Sequence, residues 1–223
     1  MNNLEKLSAR HLFDELDSSI SIGKEANIFS ATKGKEEIIV KIYRVLSCNF
    51  NKMYDYLKRD TRVTGIKKQR SKIIYAWTKR EYRNLLKARN LGINVPTPIE
   101  VLDNIILLEY IGDQNKPAPQ LKDIDLKKLG KKRALQLFKK IKEYMRKMHL
   151  GGLVHGDLSS FNILYHKENP VFIDFSQSTT SGNGQYMELL ERDIKNIVHF
   201  FNKYDMGIDE DSFKEEIIRK KEK

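Results

Sequence analysis

Two short polar motifs constrain the fold of this chain more than any other part of its sequence. The first is His155-Gly156-Asp157, with Asn162 five residues after the aspartate, and the second is Asp174, which directly follows an apolar run. Phosphoryl transfer needs a carboxylate that orients the attacking hydroxyl or water, together with oxygen ligands for a metal ion on the nucleotide phosphates. The pattern therefore predicts that Asp157 orients the nucleophile and that Asn162 and Asp174 bind Mg²⁺. The alternative is that Asp157 and Asn162 are turn residues and that His155 is a packed imidazole.

A lysine and a glutamate upstream favour the catalytic interpretation. The order resembles that of protein kinases, in which a strand lysine and a helix glutamate precede an HxDxxxxN catalytic loop and a DFG aspartate. Lys41 lies in the β-rich run 38–43, and Glu81 is the only acid in the predicted helix 75–91. We expect Lys41 to contact the nucleotide phosphates and Glu81 to hold it in place.

The predicted phosphate-binding loop contains one glycine where ordinary kinases have GxGxxG. Gly23 permits close approach of the backbone to phosphate, while Ser21 and Lys24 supply a hydroxyl and a cation. Residues 21–28 read SIGKEANI, which closely resembles the STGKEANV loop of the Rio1 branch of RIO kinases. The later string IDFSQS, residues 173–178, resembles the IDVSQS metal-binding segment of the same branch.

The resemblance to RIO kinases covers nearly the whole chain, from about Leu12 to Asp205. It implies a bilobal kinase fold that uses ATP with Mg²⁺, or Mn²⁺, and takes part in maturation of the small ribosomal subunit. Serine autophosphorylation, ATPase activity and a transient phosphoryl group on Asp174 are further traits that it suggests. The predicted nucleotide-binding set also includes Glu109 and Ile111. Gly156 replaces the family's common alanine and Phe175 its valine, and both changes leave the titratable groups in place.

The order of predicted elements indicates an α+β fold in two lobes, with strands first and helices later. We expect a leading helix over residues 1–16, then an N-lobe with a small antiparallel sheet over 17–112, containing a basic flexible loop at 47–72. Residues 113–223 are predicted to form a mainly helical C-lobe. Only 49 residues follow Asp174, with no Ala-Pro-Glu segment, so we expect a truncated lobe without an activation loop or a peptide-docking region. Asp193 lies in the last part of this lobe. By analogy with the kinase F-helix aspartate, we expect it to brace the backbone around His155; the alternative is that it is a surface acid.

Positive charge is concentrated in one part of the chain. The chain has a formal net charge of +11. The stretch from Lys52 to Arg89 contains thirteen Lys and Arg against three acids, and it is called the basic segment below. Together with its aromatic residues it predicts binding to ribosomal RNA, and its alternative is a solvated surface. The N-terminus has no apolar signal region and no apolar run approaches 18 residues, so we expect a cytoplasmic protein with no membrane partner and no DNA partner.

Two other functions share parts of this pattern. Small-molecule phosphotransferases of the aminoglycoside or choline kinase type also carry His-Gly-Asp-Leu followed by Asn, although they build substrate pockets from a larger helical lobe. A catalytically idle scaffold could bind ribosomal RNA through the basic segment alone. The presence of Lys41, Asp157, Asn162 and Asp174 argues against the scaffold, because binding alone does not need them.

Overall fold

The computed structural model describes residues 3–46, 48–113 and 116–219, so expectations for the remaining positions lie outside the described residues. The chain divides into two compact units. Unit 1 comprises Met1–Leu86 and Pro96–Asn115, and unit 2 comprises Lys87–Val95 and Lys116–Lys223.

Unit 1 is built on a five-stranded antiparallel sheet with the order β1-β2-β3-β5-β4. Its strands are β1 (Glu15–Ile22), β2 (Ala26–Lys33), β3 (Glu36–Tyr43), β4 (Pro98–Leu102) and β5 (Ile105–Glu109), with β6 (Gly112–Asp113) beyond them. Its helices are α1 (Asn3–Ala9), α2 (Phe50–Lys58) and most of α3 (Arg70–Asn90). Strand β3 buries Ile38 and Val40 on the face that packs against Leu7 and Leu107. This alternation follows from the two-residue period of a half-buried strand.

Two expectations for unit 1 need correction. The predicted helix over 1–16 ends at Ala9, and β1 begins at Glu15, because Leu12 lies in the turn before β1 and Leu16 lies in this edge strand. The predicted flexible loop 47–72 contains helix α2 and the start of α3, while Ser47 lies outside the described residues. Asn49 caps α2 by accepting a hydrogen bond from the Lys52 amide, and the helix buries Met53 and Leu57. Phe50, Met53, Tyr54 and Leu57 repeat at helical spacing, but this short apolar pattern is obscured by the many basic residues of 47–72.

Unit 2 is mainly helical. Its elements are β7 (Lys116–Pro117), a 3₁₀ turn (Leu121–Asp123), α4 (Leu126–Leu129), α5 (Lys131–Leu150), β8 (Leu153–Val154), β9 (Ile163–His166), β10 (Asn169–Phe172), β11 (Thr179–Thr180), α6 (Tyr186–Asn202) and α7 (Glu210–Ile218). Gly130, whose φ of +88° is open to glycine, separates α4 from α5. Phe138 of α5 packs against Phe201 of α6 and Phe213 of α7, with ring centroids 5.1 and 5.2 Å apart.

The α+β class with an antiparallel sheet and a mainly helical second unit is confirmed. Within the described ranges, no helix is long and apolar enough to cross a membrane.

Candidate active site

In unit 1, Lys41 and Glu81 form a buried ion pair, as the sequence predicted. Lys41 Nζ lies 2.8 Å from Glu81 Oε1, and the two residues are 6% and 0% exposed. Tyr43, two residues further along β3, donates a hydrogen bond of 2.6 Å to Glu81 Oε2, and its ring centroid lies 5.1 Å from Lys41 Nζ. Breaking such a pair by removing one partner is costly, because an uncompensated charge stays buried. The Lys41 ammonium is therefore held in one place before any ligand binds.

The predicted phosphate-binding residues lie at the β1–β2 turn. Ile28 of β2 is paired with Ser21 of β1 on one side and with Lys41 of β3 on the other. Residues directly opposite one another in a sheet project from the same face, so Ser21 and Lys41 share a face. At the turn, Gly23 donates its N–H to the Ala26 carbonyl at 2.9 Å, and a Cβ at Gly23 would meet that same oxygen at 2.9 Å. Lys24 is exposed at the tip.

Glu109 and Ile111 are placed differently from the other predicted nucleotide-binding residues. The Glu109 carboxylate accepts hydrogen bonds from the Thr97 amide at 2.9 Å and the Thr97 hydroxyl at 2.5 Å. Its side chain thus fixes the entry to β4. Ile111 is partly buried and follows β5 without regular structure.

In unit 2, the loop after β8 brings Asp157 and Asn162 together. Asn162 Nδ2 donates to the Asp157 carbonyl at 2.8 Å and approaches Asp157 Oδ2 at 3.4 Å. Gln177 Nε2 donates to Asp157 Oδ2 at 3.1 Å. Asp157 is therefore oriented by two amides, while it remains only partly buried and can meet a substrate. The Ile173 amide donates to the Asn162 carbonyl at 3.0 Å, which joins this loop to the segment that carries Asp174.

Asp174 follows β10 in a left-handed backbone conformation, with φ of +61°. Asp and Asn tolerate this region better than other L-residues, so the position suits an acid. His155 reaches the same segment: its Nε2 lies 3.0 Å from the Ile173 carbonyl oxygen, and its ring packs 4.7 Å from that of Phe175. The imidazole is thus packed within the loop. For His155, this is the alternative given above for the motif.

Helix α6 braces the catalytic loop through a buried acid. The two oxygens of Asp193 accept the backbone N–H groups of Gly156 and Leu158, each at 2.8 Å, and Asp193 is 2% exposed. Arg192 donates to the Gly156 carbonyl, and Asn196 donates to the Leu158 carbonyl at 3.0 Å. Burial raises the pKa of Asp193 to about 7, against the opposing effect of the two N–H donors. The predicted bracing role of Asp193 thus has a direct geometric basis, although its contacts are to the neighbours of His155.

Glycine is required at position 156 by two features. Its φ is +78°, and a Cβ there would lie 2.9 Å from the Gln177 carbonyl oxygen. Alanine, common at this position in the family it resembles, would have to shift that backbone. The replacement therefore matches the local geometry of this chain.

The donors around Asp174 fit a magnesium ion. Mg²⁺ is usually held by one or two protein oxygens together with substrate phosphates and water. Because the Asn162 amide nitrogen faces Asp157, its oxygen is the atom left for a metal, and Asp174 supplies a carboxylate. Throughout the described ranges, no group of three or more His, Cys, Asp or Glu side chains forms a metal cluster.

Sequence reasoning missed two residues of this arrangement. Tyr43 was part of a strand pattern, and its hydroxyl contact with Glu81 spans 38 residues. Gln177 was noted only within the resemblance to IDVSQS, and its contact with Asp157 depends on the fold of residues 173–178. Tyr43 ends the strand that carries Lys41, and Gln177 lies three residues after Asp174. This nearness to a predicted site residue is the only signal that the sequence offers.

The α+β fold, with the polar residues described in each unit, is that of a protein-kinase-like phosphotransferase. Among solved structures, the chain resembles the Rio2 kinase of Chaetomium thermophilum in an ADP/Mg²⁺-phosphoaspartate complex, with a TM-score of 0.71 and 19% identity over 98% of this chain and 66% of that one. A second structure of the same kinase gives a TM-score of 0.67 with 20% identity, over 96% and 66% of the two chains. At these identities, the likeness establishes the kinase-like α+β fold.

The chain belongs to the RIO family, because the RIO domain profile matches residues 27–213. It is 41% identical to the RIO-type serine/threonine-protein kinase Rio1 of Methanocaldococcus jannaschii over 88% of this chain and 66% of that protein. It is 34% identical to the Rio1 kinase of Thermoplasma acidophilum over 86% of this chain and all of that protein. These relatives place it among the serine/threonine-protein kinases and confirm the resemblance found from the motifs.

Proposed function

We propose that this chain is an ATP- and Mg²⁺-dependent RIO-type kinase and ATPase that phosphorylates itself and acts on precursors of the small ribosomal subunit. The observation that carries the catalytic part is the buried Lys41–Glu81 pair at 2.8 Å. A buried ion pair is expensive to form and is weak evidence for stability alone. The pair is explained if Glu81 holds the Lys41 ammonium in position to contact the phosphates of a nucleotide.

Each predicted residue has a distinct role in this proposal. Lys41 binds the nucleotide phosphates, Glu81 and Tyr43 hold it in place, and Ser21, Gly23 and Lys24 add contacts from the β1–β2 turn. Glu109 and Ile111 contribute through the backbone next to β5, since the Glu109 carboxylate is engaged by Thr97. Asp157 orients the attacking hydroxyl or water or accepts its proton. Gln177 holds the Asp157 carboxylate in position through a hydrogen bond.

Asn162 and Asp174 are the residues that would hold Mg²⁺. When bound, the ion neutralises charge on the phosphates as they react. Asn162 keeps its oxygen available because its nitrogen donates to Asp157, and the Ser176 amide donates to Asp174 Oδ1 at 3.4 Å. The Chaetomium structure is described as a phosphoaspartate complex of that kinase. In this chain we propose Asp174 as the corresponding acceptor of a transient phosphoryl group.

Free peptides are expected to be poor acceptors. A peptide kinase must hold an extended substrate beside the reacting phosphate, and positioning supplies much of the rate. In this chain Asp174 and the start of α6 at Tyr186 are joined by a short segment that contains only the two-residue strand β11. Water, Asp174 or a serine such as Ser71, at the start of α3, is therefore the favoured acceptor. Ser47 is a further candidate acceptor.

Incubation with γ-labelled ATP and Mg²⁺ tests which of these acceptors receives the phosphoryl group. We expect label on the protein and in free phosphate to exceed label on a panel of generic peptides. Label released by hydroxylamine indicates an acyl phosphate on an aspartate, and acid-stable label indicates serine or threonine. Asp174→Asn should remove the hydroxylamine-sensitive fraction. Efficient peptide labelling with little hydrolysis or self-labelling would contradict the proposal.

The basic segment supports the ribosomal RNA part of the proposal. All thirteen of its cations except Arg62, Arg80 and Lys87 are exposed. Its aromatic residues are less available, because Trp77 is 2% exposed in the core and Tyr54 is covered by Lys58 and Lys68. Binding should therefore depend on phosphate neutralisation more than on base stacking.

Salt dependence is the expected signature of this contact. If about six cations meet phosphates, affinity for a ribosomal RNA fragment should fall about a thousandfold between roughly 50 and 200 mM salt. Neutralising Lys67 and Lys68 to Gln should reduce the slope, whereas the matched change at Lys131 and Lys132 of α5 should not. A flat salt response, or equal effects of the two pairs, would leave the basic segment as a solvated surface. Retained RNA binding in a variant without ATP turnover would show that binding is separable from catalysis.

A further inference from the structure

Asp60 is a buried acid inside the basic segment, and no step of the proposed reaction uses it. It follows α2 and is 1% exposed. Arg62 binds both of its oxygens, with Nε 2.8 Å from Oδ1 and Nη2 2.7 Å from Oδ2. Arg80 of α3 donates through Nε to Oδ2 at 2.9 Å. A carboxylate with this many charged donors is built for one geometry.

The Asp60–Arg62 turn holds α3 at two points on one face. Asp60 binds Arg80 directly, and Arg62 Nη1 donates to Asn84 Oδ1 at 2.9 Å. Positions four apart on a helix are neighbours on its surface, so the two contacts lie one turn apart. Together they limit both rotation and sliding of α3.

Aromatic rings complete the attachment. The Arg80 guanidinium carbon lies 5.2 Å from the Trp77 ring centroid and 5.8 Å from that of Tyr56. Tyr56 belongs to α2 and meets Trp77 edge to face at 5.8 Å. Helix α2, the turn at Asp60 and helix α3 are therefore packed around one buried guanidinium.

Electrostatics keep the carboxylate of Asp60 charged. Burial acts to raise its pKa, but the hydrogen bonds and charge of Arg62 and the charge of Arg80 hold the pKa below its ordinary value. Burial lowers the pKa of Arg80, and the Asp60 carboxylate opposes that change. Removing the acid would leave a charged guanidinium without its carboxylate in a buried site.

Arg80 is followed directly by Glu81, the partner of Lys41. Because an α-helix turns about 100° per residue, a fixed Arg80 also fixes the direction in which the Glu81 side chain leaves the helix. The Glu81 carboxylate must lie within hydrogen-bonding distance of Lys41 Nζ and the Tyr43 hydroxyl at once. A small rotation of α3 would lengthen one of these contacts.

We propose that Asp60 is a positioning residue for the Lys41–Glu81 pair, acting through Arg80 to set the rotation of α3. This inference rests on the proposed role of Lys41 in binding ATP. It assigns residues of the basic segment a second task, as a brace for the nucleotide site of unit 1.

Asp60→Asn, with Asp55→Asn as its matched control, tests this role. Asp55 lies in the same segment but is exposed on α2. We expect Asp60→Asn to raise the KM for ATP about tenfold, within the range of indirect couplings, with a smaller change in kcat. In a Glu81→Gln background the same change should have no further effect on KM. Asp55→Asn should leave KM unchanged.

A second variant separates loss of stability from loss of the correct position of Glu81. Asp60→Asn combined with Arg80→Met removes both buried charges, so its thermal midpoint should recover while its KM stays raised. Recovery of both quantities, or a wild-type KM in Asp60→Asn, would overturn the proposal.

Chemical labelling of Lys41 tests the pair without any turnover. The rate at which an amine-modifying reagent labels Lys41, followed by mass spectrometry, should rise in Asp60→Asn and not in Asp55→Asn. Unchanged labelling would overturn the positioning role even if the chain hydrolyses ATP. Raised labelling in Asp60→Asn, together with no ATP turnover by the wild type, would instead reject the proposed function and retain the brace.

Discussion

Asp174→Asn is expected to lower phosphoryl transfer from ATP by about a hundredfold to a thousandfold, the range found when one preorganised electrostatic group is removed. Asparagine keeps the size of the side chain and tolerates the left-handed φ of +61°. The variant should therefore fold normally and lose only the carboxylate. Magnesium-dependent nucleotide binding should weaken as well, because the proposed ligand set loses its charged member. Steady-state ATP turnover and nucleotide titrations with and without Mg²⁺ measure both effects.

Asp205→Asn is the matched control for this change. Asp205 also has a left-handed backbone, with φ of +58°, and it is exposed after α6. The control should keep wild-type turnover, which separates the carboxylate from the backbone conformation. Near wild-type turnover in Asp174→Asn would remove Asp174 from the site.

Asp193→Ala is expected to lower the free energy of unfolding by about 2 to 6 kcal/mol, since two buried N–H groups lose their acceptors at about 1 to 3 kcal/mol each. Those groups belong to Gly156 and Leu158, on either side of Asp157. Catalysis should therefore fall with stability, even at temperatures where the variant is fully folded. Denaturant unfolding gives the first quantity, and turnover of the folded variant gives the second.

The pH dependence of this stability has a defined sign. The pKa of Asp193 in the folded chain is raised to about 7 from an ordinary value of 3.8, so folding favours its neutral form. The stabilising contribution of that form is complete below pH 3.8 and is lost as the pH rises through about 7. The advantage of wild type over Asp193→Ala should shrink across that window. Glu191→Gln, an exposed acid on the same helix paired with Lys214, should stay near wild type throughout. An advantage that grows with pH would contradict the raised pKa.

The candidate site residues could be predicted from the sequence because the motifs that carry them are local. His155 to Asn162 and Asp174 lie within one stretch of sequence, and strand β3 is recognisable as a run rich in β-branched residues. Lys41 and Glu81, 40 residues apart, could be paired from sequence only through the kinase resemblance. The sequence itself supplied no contact between them.

Long-range polar contacts were the part that sequence could not supply. Tyr43 to Glu81, Gln177 to Asp157 and Asp60 to Arg80 each depend on how separate elements pack, and none leaves a periodic pattern. Helix α2 was missed for a different reason: its apolar residues repeat at helical spacing, but they lie in a segment whose overall composition is basic and polar. Burial, which decides between a solvated loop and a packed helix, is a property of the folded chain.

The most direct test of the account is ATP turnover by the wild-type chain and by Lys41→Met, measured side by side with Mg²⁺ and with a chelator. Methionine keeps most of the length of the side chain and removes the ammonium that Glu81 and Tyr43 hold in place. The account predicts magnesium-dependent turnover in the wild type and a loss of about a hundredfold to a thousandfold in the variant. Equal turnover in the two proteins, or turnover that survives removal of the metal, would contradict it.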